Sequence, residues 1–131
     1  MKFYSRKLIR PTDLNANNTL FGGSLLKWID EEAGIYAMSK LNTQRVVTKY
    51  ISEIDFVSSA TQGDIIQIGL EFIKVGRTSI TFACEVRNYL SQKTIIKVDK
   101  IVFVRIGDDG RPSAHGLTDE DIINSSVNQF N

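Results

Sequence analysis

The sequence predicts an α+β domain in which one long helix covers a face of an antiparallel sheet. Apolar residues recur every four positions in the segment after Gly22-Gly23, which is typical of an amphipathic helix. From Arg45 onward apolar and polar residues alternate, and clusters of turn-forming residues divide this part into short segments. The 131 residues suit one domain with its own core, so we expect residues 1–131 to fold as one unit.

Composition excludes several classes of protein. Hydrophobic residues make up 42% and charged residues 24%, and a formal net charge of +1 gives no reason to expect a nucleic-acid partner. Cys84 is the one cysteine and His115 the one histidine, so we expect neither an internal disulfide nor a usual zinc site. The sequence has no apolar run long enough for a bilayer and no apolar signal-peptide core. We therefore expect a cytoplasmic protein without membrane insertion.

The chain begins with a short mixed segment, Lys2 to Arg10, which we interpret as an edge strand ended by Pro11. The stretch from Pro11 to Gly23 is rich in Asn, Asp and Gly, which accept positive φ or bond to their own backbone. The helix is expected to open at Gly22-Gly23, with Ser24 as a possible cap, and to end at Asn42-Thr43.

Asp30 lies at the edge of the apolar face of this helix. The face is formed by residues four apart, and Gly34 in its middle allows another backbone or a sheet to approach closely. The spacing leaves two interpretations of Asp30 open. It is either an ordinary surface carboxylate or a carboxylate held over a pocket that starts at the glycine pair.

Four period-two segments follow the helix: 45–56, 66–72, 80–86 and 94–106. Gly76 is expected to supply the positive φ of a hairpin between the second and the third of them. Cys84 alternates with core residues, which favours a buried apolar role over a nucleophilic one. From residue 107 to 131 we expect a flexible or weakly structured tail, with at most a weak helical turn between Asp119 and Phe130.

The loop and helix carry a resemblance to a known family. Asp13-Leu14-Asn15-Ala16-Asn17, then Phe21-Gly22-Gly23, then Asp30 resembles the signature of hotdog-fold acyl-CoA thioesterases. The chain is most similar to their short bacterial branch, which is related to the brain-type cytosolic acyl-CoA hydrolases. The resemblance covers roughly residues 10 to 106, with further matches at 45–48, 63–64 and 76–79. It implies a hotdog fold, an antiparallel sheet wrapped around one long central helix.

One position departs from the family pattern, because Asn18 stands where the family usually has Gly. Asn is the next-best residue at positive φ, so the turn can survive.

The resemblance implies roles for the catalytic residues. Asp30 would be the general base for water, or a nucleophile that forms an anhydride. The amides of Gly22 and Gly23 would bind the oxyanion, and Phe21 would add a third unpaired amide at the helix start. Asn15 would hold the water or the carbonyl across a dimer interface from Asp30 of the partner subunit. A simple Asx-turn explains Asn15 equally well.

The resemblance also implies contacts with coenzyme A. Thr48 and Val47 would line the pantetheine arm, and Arg77, Thr78 and Ser79 would offer a guanidinium and hydroxyls to a phosphate. A solvated hairpin charge is an equal explanation of Arg77. We expect His115 to be a solvated tail residue without a role.

The implied activity is hydrolysis of fatty acyl-CoA to coenzyme A and a carboxylic acid. Coenzyme A is then part of the substrate, and no cofactor or metal is expected. One alternative is a non-catalytic acyl-CoA-binding hotdog module. Another is an acyl-thioester hydratase or dehydratase, which the absence of a histidine from the helix disfavours. We expect a homodimer, because unpaired edges are commonly covered by a second copy, and the resemblance implies a trimer of dimers.

Overall fold

The structure, a computed structural model, describes residues 1–129, with side chains through Ser125. A short 3-10 helix, Pro11–Asp13, precedes the first α-helix. The elements in chain order are β1 (Lys2–Leu8), α1 (Gly22–Leu41), β2 (Val46–Ile51), β3 (Ile54–Phe56), β4 (Ile65–Val75), β5 (Ser79–Asn88), β6 (Thr94–Arg105) and α2 (Asp119–Gln129).

The strands form one six-stranded sheet in the order β1-β4-β5-β6-β2, and β3 also pairs with β6. Every pairing is antiparallel. Helix α1 lies against the inner face of this sheet. The predicted α+β class with one long helix is therefore confirmed, and β1 is an edge strand as predicted. Strand β2 forms the other end of the sheet, and no strand among residues 1–129 pairs with its outer edge.

The core lies between α1 and the sheet, because the predicted inward faces of both are buried. Phe82 stands at its centre, with its ring 4.7 Å from that of Tyr36 and 6.3 Å from that of Phe103. A Cβ placed on Gly34 would stand 3.6 Å from the Phe103 ring, so the small residue brings α1 close to β6. The buried side chains include Leu25, Ile29, Ala33, Ala37, Ile66, Ile68, Leu70, Ile80, Cys84, Val86, Ile96, Val98 and Ile101.

The segment 45–56 was predicted as one strand, and this is wrong. Strand β2 ends at Ile51 and β3 begins at Ile54, and both pair with β6. The Ser52 hydroxyl accepts a hydrogen bond from Lys100 N at 3.0 Å and so replaces one backbone contact of the ladder. A continuous period-two pattern does not reveal a break of this kind, because the sequence period is the same on both sides of it.

Two local predictions about the ends of elements are also wrong. Ser24 is the third residue of α1, and Phe21 occupies the N-cap position without a side-chain cap. Gly76 does not have positive φ. Instead, a Cβ on Gly76 would stand 2.6 Å from Ser79 Oγ, which accepts a hydrogen bond from the Gly76 amide. The predicted helix exit is confirmed, because Asn42 is left-handed with φ of 53°.

From residue 107 the chain makes hydrogen bonds to the rest of the domain and forms the 11-residue helix α2, so the prediction of at most a weak helical turn is wrong. Ile106 pairs with Pro112, and Ser113 N donates to Arg105 O at 2.8 Å. Helix α2 then buries Ile122, which is 1% exposed. Isolated hydrogen bonds and one buried side chain among the described residues of α2 give little periodic signal in the sequence. Residues 130 and 131 of the predicted tail lie outside the described residues.

Residues 1–129 include no helix with the length and apolar character needed to span a membrane.

Candidate active site

Asp30 lies at the mouth of a cleft between α1 and β2. The Thr48 hydroxyl donates a hydrogen bond of 2.6 Å to Asp30 Oδ1, which fixes the orientation of the carboxylate. Oδ2 has no hydrogen-bond partner among the described residues and faces the open side of the cleft. The cleft has a volume of about 420 Å³, and its wall beyond the carboxylate is mainly apolar, with Glu31, Gly34, Ile35, Met38, Val46 and Phe103.

Val47 does not line this cleft. Side chains alternate across a strand, so Val46 and Thr48 face α1 while Val47 points away. Val47 is 44% exposed. Of the two residues predicted to line the pantetheine arm, the structure brings only Thr48 to Asp30.

The start of α1 presents two unpaired amides. The first turn of a helix leaves its N–H groups without intrahelical acceptors, and the amides of Gly22 and Gly23 have no partner among the described residues. The Phe21 amide donates to Asp13 O at 2.8 Å, so its predicted role as a third unpaired donor is wrong. The Phe21 ring folds over Gly23, where a Cβ would stand 2.5 Å from it, so a larger residue at this position requires the exposed ring to move.

Asn15 organises the loop that leads into α1. Asn15 Oδ1 accepts hydrogen bonds from Asn17 N at 2.9 Å and Thr19 N at 3.2 Å, which is the Asx-turn expected as one explanation. Asn15 Nδ2 donates to Thr19 Oγ1 at 3.0 Å. Asn18 has φ of 61°, as predicted for this turn. One N–H of the Asn15 amide remains for another acceptor.

Asn15 and Gly22 line a second cavity, of about 380 Å³. The rest of its wall is formed by Thr19, Leu20, Phe56, Ser58, Ser59, Ala60 and Ile95. The turn and the cavity are compatible, because the side chain that closes the turn also borders the cavity. One chain therefore brings Asn15 and Gly22 to the same cavity.

The same chain does not bring Asp30 to that cavity. Asp30 follows Gly22 by eight residues in α1, which corresponds to about 12 Å along the helix axis. The cavity of Asn15 and the cleft of Asp30 share no lining residue. The predicted catalytic residues are thus divided into two groups at two places along one helix.

The β4–β5 hairpin, with Arg77, Thr78 and Ser79, lies outside both cavities. The Arg77 side chain is exposed and has no hydrogen bond or ion pair within the described part of the chain. Ser79 O lies 3.0 Å from Nε2 of His115, which is half-buried. The prediction of His115 as a solvated tail residue is wrong.

Two residues that position the loop escaped the sequence analysis. Asp13 is buried, its carboxylate accepts from Arg10 N at 2.8 Å, and its carbonyl receives the Phe21 amide. Thr19 holds the Asn15 side chain. Asp two residues after Pro11, at the start of a turn-rich stretch, was a signal for such a cap.

Cys84 is 2% exposed, and burial, followed by the charges of Glu85 and Glu32, raises its pKa to about 12. A thiol of this kind stays protonated, so the predicted apolar role is confirmed. No group of three or more His, Cys, Asp or Glu within the described chain could hold a metal ion.

Comparison with known proteins gives a consistent result. The sequence profile of the thioesterase superfamily matches residues 17–93. A curated protein of Buchnera aphidicola subsp. Baizongia pistaciae, called an uncharacterized acyl-CoA thioester hydrolase, is 35% identical over 85 residues. That match covers 65% of this chain and 62% of the relative, so the chain spans about three fifths of the relative's length.

Two solved structures share the fold. A hexameric thioesterase from Yersinia pestis superposes with a TM-score of 0.78 and 28% identity, covering 86% of this chain and 93% of that one. An acyl-CoA hydrolase from Staphylococcus aureus, solved with butyryl coenzyme A and coenzyme A, has a TM-score of 0.75 and 30% identity, covering 84% and 66%. Solved variants of that hydrolase carry alanine in place of an aspartate or an asparagine.

Proposed function

Because the chain belongs to the thioesterase superfamily, we propose that it hydrolyses the thioester of fatty acyl-coenzyme A to free coenzyme A and a carboxylic acid. The observation that carries this proposal is the Asp30 carboxylate, oriented by Thr48 at the mouth of an apolar cleft. A carboxylate with one oxygen held and one oxygen open can take a proton from water or attack a carbonyl itself.

The complete site requires a second copy of the chain. The amides of Gly22 and Gly23 cannot bind the oxyanion at Asp30 of the same chain, because about 12 Å of helix separates them. In a twofold dimer, the Asp30 cleft of one protomer can face the Asn15 cavity of its partner, and the reverse pairing completes a second site. Apolar side chains beside the cleft favour this arrangement, since Ile35 is 61% and Tyr50 54% exposed in the single chain.

The free outer edge of β2 suits the same dimer, because two copies can pair there as antiparallel strands. The hexameric Yersinia pestis structure supports a trimer of such dimers. Light scattering should give a mass of about six chains for the parent protein. A β2 variant such as Tyr50→Asp should have half that mass or less. The cytoplasmic location stays a prediction.

In the reaction, the thioester carbonyl lies between the two groups of residues. Asp30 removes a proton from water as the water oxygen attacks the carbonyl carbon, and the amides of Gly22 and Gly23 receive the developing negative oxygen. Each such donor contributes about 3 kcal/mol in other enzymes. The free N–H of Asn15 orients the water or the carbonyl. The carbon–sulfur bond then breaks, and the coenzyme A thiolate leaves and is protonated by solvent. This chemistry needs no cofactor or metal.

The alternative role of Asp30 is that of a nucleophile. Its carboxylate would then form an anhydride with the acyl group and release coenzyme A, and water would cleave the anhydride. Single-turnover hydrolysis in H₂¹⁸O tests for the nucleophilic role. A general base gives product labelled in the first turnover. A nucleophile whose anhydride is cleaved by water at the Asp30 carbonyl gives first-turnover product carrying unlabelled oxygen from Asp30, with ¹⁸O left on the aspartate.

The test of the proposed function is hydrolysis of acyl-coenzyme A of two to sixteen carbons, measured as free thiol. Asp30→Asn should lower kcat by about 10² to 10⁴-fold. Glu31→Gln, which changes the neighbouring carboxylate of the same cleft, is the matched control and should stay within about twofold of the parent. A parent protein that binds acyl-coenzyme A but cleaves none would be the non-catalytic module. Hydration of an enoyl thioester would instead indicate the hydratase.

A further inference from the structure

The segment between β6 and α2, residues 106–118, crosses the end of the sheet and contacts the β4–β5 hairpin; we call it the strap. Three consecutive carbonyls of the hairpin accept hydrogen bonds. Arg77 O accepts from His115 N at 3.2 Å and Thr78 O from Arg105 N at 2.8 Å. Ser79 O lies 3.0 Å from His115 Nε2. His115 of the strap and Arg105 at the end of β6 therefore hold the backbone at Arg77 and at the two residues that follow it.

The ring of His115 has one tautomer in this arrangement. The backbone amide of Leu117 donates to His115 Nδ1 at 3.0 Å, and an N–H can only donate, so Nδ1 carries no hydrogen. The hydrogen is on Nε2, which donates to Ser79 O. Both ring nitrogens are used, one within the strap and one to the hairpin, and His115 joins the two.

Three arginines lie at this end of the sheet, and they differ in whether their guanidinium groups have partners. The Arg105 guanidinium donates to Ser113 Oγ at 2.7 Å and Ala114 O at 3.1 Å. The Arg45 guanidinium donates to Gly107 O and lies 3.4 Å from Asp108 Oδ1. Arg77, on a backbone that is held at three carbonyls, keeps its guanidinium without a partner within the described residues. The held backbone fixes where the Arg77 side chain begins, and its unengaged guanidinium is available to an anion.

We propose that His115 is a positioning residue that holds the β4–β5 hairpin so that Arg77 contacts a phosphate of coenzyme A. The inference rests on the proposed function, because it assigns the phosphate to that substrate. It adds a residue that touches neither the thioester nor the phosphate and acts through Arg77. Val75 N, which donates to Asp119 Oδ1 at 2.8 Å, gives the hairpin a second contact with the chain beyond the strap.

The test compares two thioesters with the same acyl group, one on coenzyme A and one on N-acetylcysteamine, which has no phosphate. His115→Asn keeps an acceptor for the Leu117 amide, because Asn15 makes the same contact with Asn17, but it is too short for Ser79 O. His115→Asn should raise KM for acyl-coenzyme A about fivefold to tenfold, and Arg77→Ala should have the same effect. This range corresponds to the loss of one charge-assisted hydrogen bond to the phosphate. The KM of both variants for the N-acetylcysteamine thioester should stay within about twofold of that of the parent protein.

Three further variants sharpen the result. His115→Gln reaches Ser79 O with its amide N–H and should restore KM. The double variant of Arg77→Ala with His115→Asn should be no worse than Arg77→Ala alone, because the two act in series. Ser113→Ala removes the strap's hydrogen bond to the Arg105 side chain but keeps the backbone contact from Arg105 N to Thr78 O, and it is the matched control with unchanged KM.

Equal losses on both thioesters, or multiplied losses in the double variant, would overturn the proposal. Calorimetry with coenzyme A alone measures binding without hydrolysis. If the parent cleaves no thioester, the proposed function fails. The assignment of His115 is then tested by the dissociation constants of coenzyme A for the parent and the variants. Thermal unfolding of each variant confirms that the fold is intact.

Discussion

The Thr48 hydroxyl donates a 2.6 Å hydrogen bond to Asp30 Oδ1 and so joins the central helix α1 to the edge strand β2. The two residues stand 18 positions apart in the chain, and they meet because the short connection after α1 places β2 beside the middle of the helix. Asp30 is exposed, so this single contact decides where its carboxylate points.

Thr48→Val tests the value of that contact, because valine keeps the shape of threonine and removes the donor. A hydrogen bond to a charged group is worth about 1.5–3 kcal/mol, so kcat should fall about tenfold to a hundredfold. Thr48→Ser keeps the hydroxyl and should stay within about threefold. Steady-state kinetics on one acyl-coenzyme A measures both, and full activity of the valine variant would show that Asp30 needs no orientation.

Asn15→Asp separates the turn from the proposed catalytic contact. The aspartate oxygen still accepts from Asn17 N and Thr19 N, and the Thr19 hydroxyl donates to it in place of the lost Nδ2 contact. The free energy of unfolding should therefore change by less than about 0.5 kcal/mol. The free amide N–H is lost, and kcat should fall by about tenfold or more. Urea unfolding and kinetics on the same preparation provide the two numbers. If activity survives, Asn15 is a turn residue alone.

Mixing two inactive variants tests whether one site is built from two chains. Asp30→Asn and Asn15→Asp, coexpressed with different tags and purified by both, form pairs in which one site has both residues intact. A mixed dimer should show about half the parental activity, since one of its two sites is intact, and a hexamer of three randomly paired dimers should show about a quarter. Each variant purified alone is the control. Purified mixed pairs without activity would mean that Asp30 and Asn15 of the same chain act together.

Ile122→Ala tests the packing of α2. Removal of a fully buried isoleucine side chain should lower the free energy of unfolding by about 2–5 kcal/mol. Ile123→Ala is a matched control in the next position, where the side chain is 55% exposed, and it should cost less than about 0.5 kcal/mol. Urea denaturation measures both. Similar values for the two would contradict the burial of Ile122.

Cys84 provides a test by pH. Its pKa rises from 9.0 to about 12 on folding, so the native protein should not react with a thiol reagent at pH 8 while the urea-unfolded chain reacts at once. The folded state holds this proton more tightly than the unfolded state. The contribution to stability is therefore present below pH 9 and is lost as the pH rises toward 12. Cys84→Ala should flatten that alkaline loss, and rapid labelling of the native parent would show an accessible thiol.

The inward faces of the strands and of α1 could be predicted because their periods are local properties of the sequence. The same holds for the turn at Asn18, where few residues accept positive φ. Asp30, Asn15 and Gly22 were found as site residues through a family resemblance. Their division between two cavities could not be read from spacing, because it depends on how the sheet curves around the helix.

The elements that sequence analysis missed depend on contacts between distant parts of the chain. The strap is held by single hydrogen bonds to residues more than thirty positions away, such as the one between His115 and Ser79. Among the described side chains of helix α2, Ile122 is buried, Ile123 is exposed, and the others are polar. Neither produces a repeating pattern, and a polar segment with no period was interpreted as a tail.

The unpaired outer edge of β2 has a consequence for the isolated chain. The strand is rich in β-branched residues, and Lys49 is its only charged side chain. Edges of this composition template the addition of foreign strands. A chain that has not met its own copy is therefore a precursor of aggregates, and variants that weaken self-association should be recovered in inclusion bodies more often than as dispersed single chains.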